Sequence, residues 1–300
     1  MTPAGAPSST RPPTGSAAGV TWRSLLDRAR ATTASAPAAR WLVEEIAGLS
    51  ASGLVAALDA PAPQPAIEQM DRALGRLADG EPLQHVLGRW GFYGLTLRCD
   101  ARALIPRPET ELLVELALAE LDGRDPRARR ALDLGTGSLA IAAALVVADE
   151  MVEVVAVDRS ARALELAAEN RELLAPAQRR RLELREGSWY GALFPAELGS
   201  YTLIAANPPY LAADEWAGLD PVVRDHDPYD ALVAGPSGLE ALTAVIAGAP
   251  DALGRPGALL VELAPAQAED AERLARAAGA VEAAILADLA GRPRVLRARW

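Results

Sequence analysis

Residues 131–158 read ALDLGTGSLAIAAALVVADEMVEVVAVD, and this stretch decides the fold. Its apolar runs predict a strand over Ala131–Leu134, a helix over Leu139–Ala148 and a second strand over Val152–Val157. The segment Gly135–Ser138 joins the first strand to the helix, and its two glycines permit a tight turn there. A strand, a turn, a helix and a strand in this order form the repeating unit of a parallel sheet.

The same alternation continues through the C-terminal half of the chain. Further strands are predicted over Arg181–Arg185, Tyr201–Ala206, Ala258–Leu263, Val281–Leu286 and Val295–Ala298, and further helices over Ala161–Leu174, Leu239–Ile246 and Gln267–Ala278. The predicted fold class is therefore α/β, with a mostly parallel sheet covered by helices on both faces. In such sheets, ligands bind beyond the carboxyl ends of the strands, where the strand order reverses.

The composition bounds the kind of protein. The chain has 300 residues, which is long enough for two domains, and half of them are hydrophobic. Its net charge of −10 argues against stable binding to nucleic acid, because phosphates are bound mainly by clustered basic residues. The longest apolar run is too short to span a membrane, and a single cysteine suits a reducing compartment. We expect a cytoplasmic monomer that binds neither membranes nor, stably, nucleic acid.

Four segments are predicted from the N-terminus onward. Residues 1–20 are rich in Pro, Ser, Thr, Gly and Ala without an apolar period, which predicts a disordered tail. Residues 21–84 have apolar residues at spacings of three and four, which predicts a small helical domain. Residues 85–105 place glycines among aromatic residues, which predicts a β-hairpin linking two domains. Residues 106–300 carry the α/β fold.

The glycine turn and the strand that follows it predict a nucleotide-type cofactor site. The residues assigned to cofactor binding in the turn are Asp133, Gly135, Thr136, Gly137, Ser138 and Leu139. Asp158 ends the next strand, where an acid can accept hydrogen bonds from both hydroxyls of an adenosine ribose. Trp189 follows the third strand and either covers an adenine face or packs against the core. The turn by itself fits NAD as well as S-adenosylmethionine (SAM), or a plain strand-to-helix connection.

The sequence Asn207-Pro208-Pro209-Tyr210 follows a predicted strand and points to chemistry on a planar nitrogen. An amide nitrogen is a poor nucleophile, so a catalyst must offer hydrogen-bond acceptors to its two hydrogens. The Asn207 side-chain oxygen and the Pro208 carbonyl are such acceptors, and the prolines restrict the backbone that carries them. Tyr210 adds an aromatic face for stacking and for cation–π attraction to a sulfonium. We assign catalysis to Asn207, Pro208 and Tyr210 and substrate binding to all four residues; the alternative is an ordinary proline-rich turn.

With these residues in hand, the chain resembles the release-factor glutamine N5-methyltransferase family from Trp22 to Arg299. Asn-Pro-Pro-Tyr is shared with amino-group DNA methyltransferases, so it indicates the chemistry rather than the substrate. The more specific residues are Pro82-Leu83-Gln84-His85-Val86-Leu87-Gly88, then Phe92-Tyr93-Gly94, then Leu104-Ile105-Pro106-Arg107-Pro108-Glu109-Thr110-Glu111. In order and spacing they look like the family's interdomain hairpin and the helix that follows it.

The resemblance implies a class I SAM-dependent methyltransferase with a Rossmann-like sheet. Its implied substrate is the glutamine in the Gly-Gly-Gln loop of peptide chain release factors, with the helical domain helping to dock that protein. The implied SAM-binding positions are Gly135–Leu139, Asp158, Trp189 and Asn207. The implied substrate-binding positions are Asn207–Tyr210, Phe92 and Arg107, with Arg107, Glu109 and Glu111 either organising the edge of the site or capping a helix.

The chain departs from the family pattern at three places. Leu139 replaces the last glycine of Gly-x-Gly-Ser-Gly. If its side chain faces the cofactor, SAM affinity should be weakened and Leu139→Gly should tighten it; if the side chain faces the core, little should change. Thr202 replaces the usual acid of the fourth strand, and Asp227-Pro228 replaces Glu-Pro.

Other interpretations stay open at this point. A methyltransferase for a nucleobase or a small-molecule amine would share the chemistry, and a non-catalytic SAM-binding protein would suit Leu139. A nicotinamide oxidoreductase would share the glycine turn but would give Asn207–Tyr210 no role. We expect no metal site, and we interpret Asp225-His226-Asp227 as a polar loop and Cys99 as a packed residue.

Overall fold

The computed structural model describes residues 19–33 and 35–300. The predicted tail, residues 1–20, lies almost entirely outside this part of the chain. The chain divides into two compact units, one ending at Asp79 and the other running from Gly80 to Trp300. The sequence placed the end of the helical domain at residue 84.

The described part of the first unit contains four helices: α1 (Trp22–Thr33), α2 (Ala36–Ala47), α3 (Ala51–Ala57) and α4 (Gln64–Ala78). Leu25, Leu42 and Met70, one from each of the three longer helices, are fully buried in it. The α2 helix ends at Gly48, whose φ of 62° is in the left-handed region that glycine adopts without strain. The Ser50 hydroxyl accepts the Gly53 N–H at 3.2 Å and thereby caps α3.

The second unit opens with a short helix and a hairpin. These are α5 (Leu83–Leu87), β1 (Arg89–Phe92) and β2 (Leu95–Arg98), of which the sequence predicted the hairpin but not the helix. The strands pair antiparallel across Tyr93 and Gly94. Both turn residues have positive φ, 46° and 75°, as the tightest hairpin turns require.

The rest of the second unit is a seven-stranded sheet with helices between its strands. The strands are β3 (Arg130–Leu134), β4 (Glu153–Asp158), β5 (Leu182–Glu186), β6 (Tyr201–Ala206), β9 (Leu253–Glu262), β10 (Glu282–Ala287) and β11 (Pro293–Arg299), and β7 (Leu211–Ala212) and β8 (Val233–Gly235) form a small separate pair. The helices are α6 (Glu109–Asp122), α7 (Ala140–Ala148), α8 (Ala161–Glu172), α9 (Pro176–Arg179), α10 (Pro221–Arg224), α11 (Tyr229–Leu232), α12 (Glu240–Ala252) and α13 (Ala268–Ala277).

The order of the strands across the sheet is β10-β11-β9-β6-β3-β4-β5, and only β11 runs antiparallel to its neighbours. From β3 the chain first adds β4 and β5 on one side and then returns to add β6 on the other. The strand order therefore reverses between β3 and β6, and the crevice for a ligand is expected at their carboxyl ends.

Alternate residues of the central strands pack against opposite layers of helices. Ala131 and Leu203 belong to a core that includes Leu113 of α6 and Leu145 of α7. Leu132, whose side chain points to the opposite face of the sheet, belongs to a second core, which includes residues of α12 and α13. Because successive side chains of a strand point to opposite faces, one apolar strand serves both cores. The predicted mostly parallel sheet, covered on both faces, is confirmed.

Some predicted boundaries were wrong. The helix predicted from Leu139 begins at Ala140, and the helix predicted to end at Ile246 continues to Ala252. The short elements between residues 211 and 235 carried no apolar period long enough to predict. No helix in the described part of the chain is long and apolar enough to cross a membrane.

Candidate active site

A cavity of about 260 Å³ opens at the carboxyl ends of β3, β4 and β6. The predicted site residues on its wall are Gly135, Thr136, Gly137, Ser138, Asp158, Trp189, Asn207, Pro209 and Arg107. The predicted site residues that do not line it are Asp133, Leu139, Pro208, Tyr210 and Phe92. The cavity thus brings together both predicted groups, the glycine turn and the loop after β6.

The glycine turn is held by backbone hydrogen bonds from the neighbouring strand. The N–H groups of Gly135 and Thr136 donate to the Val157 carbonyl at 2.8 and 3.0 Å. Gly135 and Gly137 have φ values of 76° and 54°, in the region where a side chain is strained. Both glycines therefore keep the turn tight and leave backbone exposed to the cavity.

Asp133 supports this turn instead of lining the cavity. Its Oδ2 atom accepts the Thr136 hydroxyl at 2.7 Å and the Ala142 N–H at 3.2 Å. The carboxyl group is fully buried, and burial raises its pKa to about 7. The predicted contact between Asp133 and the cofactor is corrected, because the side chain is turned toward the start of α7.

Leu139 is the residue on which the sequence left two alternatives, and its side chain faces the core. It is 0% exposed and belongs to the apolar cluster beneath α6 and α7. Its backbone keeps the conformation of the glycine it replaces, with a φ of 75°. The substitution is therefore accommodated by backbone strain, and no side chain enters the cavity.

Asp158 ties the end of β4 to the glycine turn. Its Oδ2 atom accepts the Gly137 N–H and its Oδ1 atom accepts the Ser160 N–H, each at 2.9 Å. Burial raises the pKa of this carboxyl above its ordinary value. The carboxylate lies on the cavity wall in the position predicted to accept hydrogen bonds from a ribose.

Trp189 lines the cavity and also packs against the apolar cluster beneath α12. Its φ of 49° is unusual for an aromatic residue. A Cβ placed on Gly135 would lie 3.7 Å from Cζ3 of the Trp189 ring, so the ring stands beside the glycine turn. The packing of Trp189 against the core fits one of the two sequence interpretations, and the other, that the ring covers an adenine face, stays a prediction.

The loop after β6 presents one unpartnered acceptor. The Asn207 amide nitrogen donates to the Thr110 hydroxyl at 3.1 Å, and its Oδ1 atom is buried without a hydrogen-bond partner. Pro208 is buried, and Tyr210 is held through its backbone, which donates to the Leu232 carbonyl and accepts from Gln267. Neither Pro208 nor Tyr210 lines the cavity, and the catalytic and substrate-binding roles assigned to them stay predictions.

Thr110 and Glu262 were missed as functional candidates by the sequence analysis. The Thr110 hydroxyl donates to the Glu262 carboxylate at 2.7 Å, and Glu262 is 3% exposed at the last position of β9. Burial raises the pKa of this carboxyl. The available signal was an acid at the end of an otherwise apolar strand, where a charge is costly unless it is paired.

The remaining predicted residues have mostly structural contacts. Arg107 lines the cavity and donates a hydrogen bond of 2.7 Å to the buried carboxylate of Asp227. The Glu111 carboxylate accepts the Tyr93 N–H at 2.7 Å. Phe92 is 2% exposed in the core under α6, so the prediction that it binds substrate is corrected. Within the described residues, no group of His, Cys, Asp and Glu is placed to hold a metal ion.

Comparisons with known proteins identify the family of the chain. Residues 21–88 match the PrmC N-terminal domain, and residues 109–218 match the methyltransferase small domain. The release factor glutamine methyltransferase of Cereibacter sphaeroides is 40% identical over 261 residues, covering 87% of this chain and 90% of that protein. The release factor glutamine methyltransferase of Deinococcus radiodurans is 41% identical over 286 residues, covering 92% and 98%. The chain belongs to the release factor glutamine methyltransferase family.

One solved structure adds support for the fold alone. The chain is similar to the hMettl16 catalytic domain in complex with the MAT2A 3′UTR hairpin 6, with a TM-score of 0.52 and 15% identity, covering 79% of this chain and 81% of that one. The predicted class I methyltransferase fold, a mostly parallel sheet with an N-terminal helical region, is confirmed.

The two other departures of this release factor glutamine methyltransferase family member lie in different places. The Thr202 hydroxyl accepts the Arg130 N–H at 3.1 Å and donates to the Arg130 carbonyl at 3.0 Å. Thr202 is near the start of β6, at the opposite end of the strand from Asn207. Asp227 keeps a carboxylate paired with Arg107, and Pro228 lines the cavity. Neither departure removes an acceptor from the cavity wall.

Proposed function

We propose that this protein transfers the methyl group of SAM to the side-chain amide nitrogen, N5, of the glutamine in the Gly-Gly-Gln motif of peptide chain release factors. The observation that carries the proposal is the unpartnered Oδ1 atom of Asn207 beside the cavity. A buried acceptor without a donor costs free energy, and the NH2 group of a substrate amide would satisfy it.

The chemistry of the acceptor suits an amide substrate. The amide nitrogen carries two hydrogens and no free basic lone pair, so the site needs an acceptor that orients the NH2 group and no strong base. Asn207 is fixed before substrate arrives, because its nitrogen is bonded to Thr110 and the two following prolines restrict the backbone. A preorganised acceptor does not need to reorient during the reaction.

The residues around the cavity also suit SAM. The turn Gly135–Ser138 lets a ligand approach the backbone closely, Asp158 offers carboxylate oxygens at the end of β4, and the Trp189 ring stands beside the turn. When bound, SAM supplies an electrophilic methyl group on a sulfonium. The protein's part is to hold the acceptor nitrogen in line with that group, since orientation supplies much of the rate of such transfers.

The partner and the setting follow from the same proposal. The substrate is a folded release factor, and the helical unit up to Asp79, which matches the PrmC N-terminal domain, helps to dock it. We propose that the enzyme acts as a cytoplasmic monomer without stable nucleic acid or membrane partners. The KM for an intact release factor is then expected to lie below the KM for an isolated Gly-Gly-Gln peptide.

The deciding experiment is transfer of radiolabelled methyl from SAM to purified, unmethylated release factor. A Gln→Ala version of the Gly-Gly-Gln loop serves as the substrate control. Label on the first protein alone supports the enzyme, the substrate and the acceptor together. No label on either protein, with SAM binding confirmed by calorimetry, refutes the proposal and favours a relative that acts on another amine or only binds SAM.

The role of Asn207 is tested in the same assay. Asn207→Ala should lower kcat by on the order of 10²-fold or more, as for other single preorganised polar groups, with SAM binding partly retained. Gln178→Ala removes a partly exposed amide from α9, which precedes β5 at the opposite end of the sheet from the cavity, and is the matched control, for which turnover should be unchanged. Wild-type turnover by Asn207→Ala would contradict the role assigned to this residue.

A further inference from the structure

Three side chains from three elements form one hydrogen-bonded row behind the cavity wall. Glu262 comes from the end of β9, Thr110 from the first turn of α6, and Asn207 from the loop after β6. The Thr110 hydroxyl lies 2.7 Å from Glu262 Oε2 and 3.1 Å from Asn207 Nδ2. Glu262 and Thr110 are buried, and the Oδ1 atom of Asn207, at the end of the row, is buried without a hydrogen-bond partner.

The direction of each hydrogen bond follows from the donors available. An ionised carboxylate only accepts hydrogen bonds, so the Thr110 hydroxyl must donate its single hydrogen to Glu262. The hydroxyl oxygen can then only accept from Asn207, which turns the Asn207 nitrogen toward Thr110 and leaves the Asn207 oxygen as the end without a partner. The reversed Asn207 amide would set two acceptors against each other, which is unfavourable in a buried site.

We propose that Glu262 and Thr110 are positioning residues that keep the Asn207 oxygen directed at the substrate, so that the site selects a hydrogen-bond donor and thus an amide over a carboxylate. This inference rests on the proposed function. It assigns to the row a task that Asn207 cannot perform alone, because the two ends of a free amide side chain have nearly the same shape. Glutamine and glutamate differ at the same atoms, so the orientation of Asn207 decides between them.

The charge on Glu262 is the variable part of the row. Arg294 and Arg107 favour its ionised form, while Glu109 and burial oppose it, and burial has the largest effect on its pKa. Tyr210 is also close enough for the Glu262 charge to raise its pKa. When the pH falls through the raised pKa of Glu262, the carboxyl group gains a hydrogen and no longer imposes a direction on Thr110. Activity and selectivity are therefore expected to be lost on the acid side.

The test compares binding of release factor carrying Gln or Glu in its Gly-Gly-Gln loop. Thr110→Val removes the hydroxyl, and the preference for Gln should fall by about 10-fold or more because Asn207 is free to turn. Thr110→Ser keeps the hydroxyl and should retain most of the preference. Thr202→Val is the matched control, since Thr202 also makes two hydrogen bonds but lies at the other end of β6. A purely structural role for Thr110 would weaken both ligands equally and leave their ratio unchanged.

The role of Glu262 is read from pH dependence. Glu262→Gln can still accept from Thr110 through its amide oxygen, so activity near neutral pH should fall only modestly, by about 10-fold at most. The acid limb of kcat/KM that belongs to Glu262 should disappear in this variant. Glu150→Gln, at an exposed position, is the control and should keep the wild-type pH profile.

A measurement on the free enzyme separates this inference from the proposed function. The chain has two asparagines, so protein labelled with ¹⁵N-asparagine gives two side-chain NH2 signals. The Asn170 amide donates to the Arg98 and Ser138 carbonyls and is an internal reference. The Asn207 signal should shift as Glu262 titrates in the wild type and should stop doing so in Thr110→Val and in Glu262→Gln.

The outcomes are distinct. If the wild type does not methylate release factor but the Asn207 signal follows Glu262 through Thr110, the proposed function fails and the orienting row stands. If methylation occurs but the Gln to Glu preference and the Asn207 signal are the same in Thr110→Val as in the wild type, the row is overturned and the proposed function stands.

Discussion

Leu139 offers a sharp test of how this chain tolerates a side chain where its family has glycine. We consider the pair Leu139→Ala and Leu139→Gly. Both remove a side chain that is 0% exposed, and both leave the cavity wall unchanged, because Leu139 does not line it. They differ in the backbone, since φ is 75° at this position and glycine alone adopts that value without strain.

The magnitudes can be worked from these two facts. Loss of a buried leucine side chain should lower the free energy of unfolding by about 2–5 kcal/mol in the Ala variant. The Gly variant loses the same contacts but regains the ~1–2 kcal/mol cost of a left-handed residue. Against this, glycine has a larger entropy in the unfolded chain, which costs about 0.5–1 kcal/mol. Leu139→Gly should therefore be at least as stable as Leu139→Ala, with a difference between zero and about 1.5 kcal/mol.

The assay is urea denaturation of both variants, with Leu145 as the matched position. Leu145 is equally buried but lies inside α7. There the order should reverse, with Leu145→Gly about 1 kcal/mol less stable than Leu145→Ala. Calorimetry should find SAM dissociation constants for the Leu139 variants within about threefold of the wild type, or ~0.7 kcal/mol.

Two results would refute the reasoning. If Leu139→Gly is less stable than Leu139→Ala by as much as at position 145, the backbone strain does not exist. If Leu139→Gly binds SAM tenfold more tightly than wild type, the Leu139 side chain faces the cofactor after all. The second result would restore the alternative left open by the sequence.

Three further predictions concern buried titratable groups. Asp133→Asn removes a carboxyl group whose pKa is about 7. The folded wild type binds the carboxyl proton more tightly than the unfolded chain does. The free energy of unfolding of the wild type should therefore fall as the pH rises from about 4 to about 7. Urea denaturation should show that the free energy of unfolding of the variant rises relative to that of the wild type by up to about 4 kcal/mol across this pH range. A difference that does not depend on pH would contradict the raised pKa of Asp133. Asp158→Ala loses the acceptor of the Gly137 and Ser160 N–H groups, so SAM affinity should fall by ~10- to 100-fold in calorimetry, and wild-type affinity should fall as the pH drops through the raised Asp158 pKa. Burial raises the Cys99 pKa to about 12, so the native protein at about pH 8 should react with a maleimide at least ~10³-fold more slowly than free cysteine, a difference that unfolding should abolish.

The fold and most of the predicted residues that line the cavity could be predicted because they depend on local patterns. Alternating apolar strands and helices specify the sheet, and glycines after a strand specify a turn at its carboxyl end. The sequence could not predict which way a side chain in that turn points. Leu139 is next to the cavity residue Ser138 and Asp133 is two residues from Gly135, yet neither side chain lines the cavity and both are buried. That choice is set by helices α6 and α7 packing above the turn.

Residues that act through a neighbour were harder to predict than residues on the wall. Glu262 and Thr110 are far apart in the chain and carry no shared motif. Their connection depends on β9 lying beside β6 with α6 packed over both, which is a property of strand order. Phe92 failed in the opposite way, because a residue in a resembling segment was assigned to the substrate while the fold uses it for packing.

The ends of four adjacent strands give a physical reason to expect a cationic ligand in this cavity. In spatial order, β9, β6, β3 and β4 end near Glu262, Asn207, the glycine turn and Asp158. Burial raises the pKa of both carboxyl groups, so a nearby positive charge would stabilise their ionised forms and would itself be stabilised. Arg102, Arg107 and Arg159 on the wall each pair with a carboxylate. Arg107 favours the ionised form of Glu262 and Arg159 that of Asp158, but burial has the larger effect on both pKa values. A pyrophosphate would add negative charge to this surface, whereas a sulfonium would lower its electrostatic cost, and this distinction favours SAM over a nicotinamide dinucleotide in a turn whose glycines fit either.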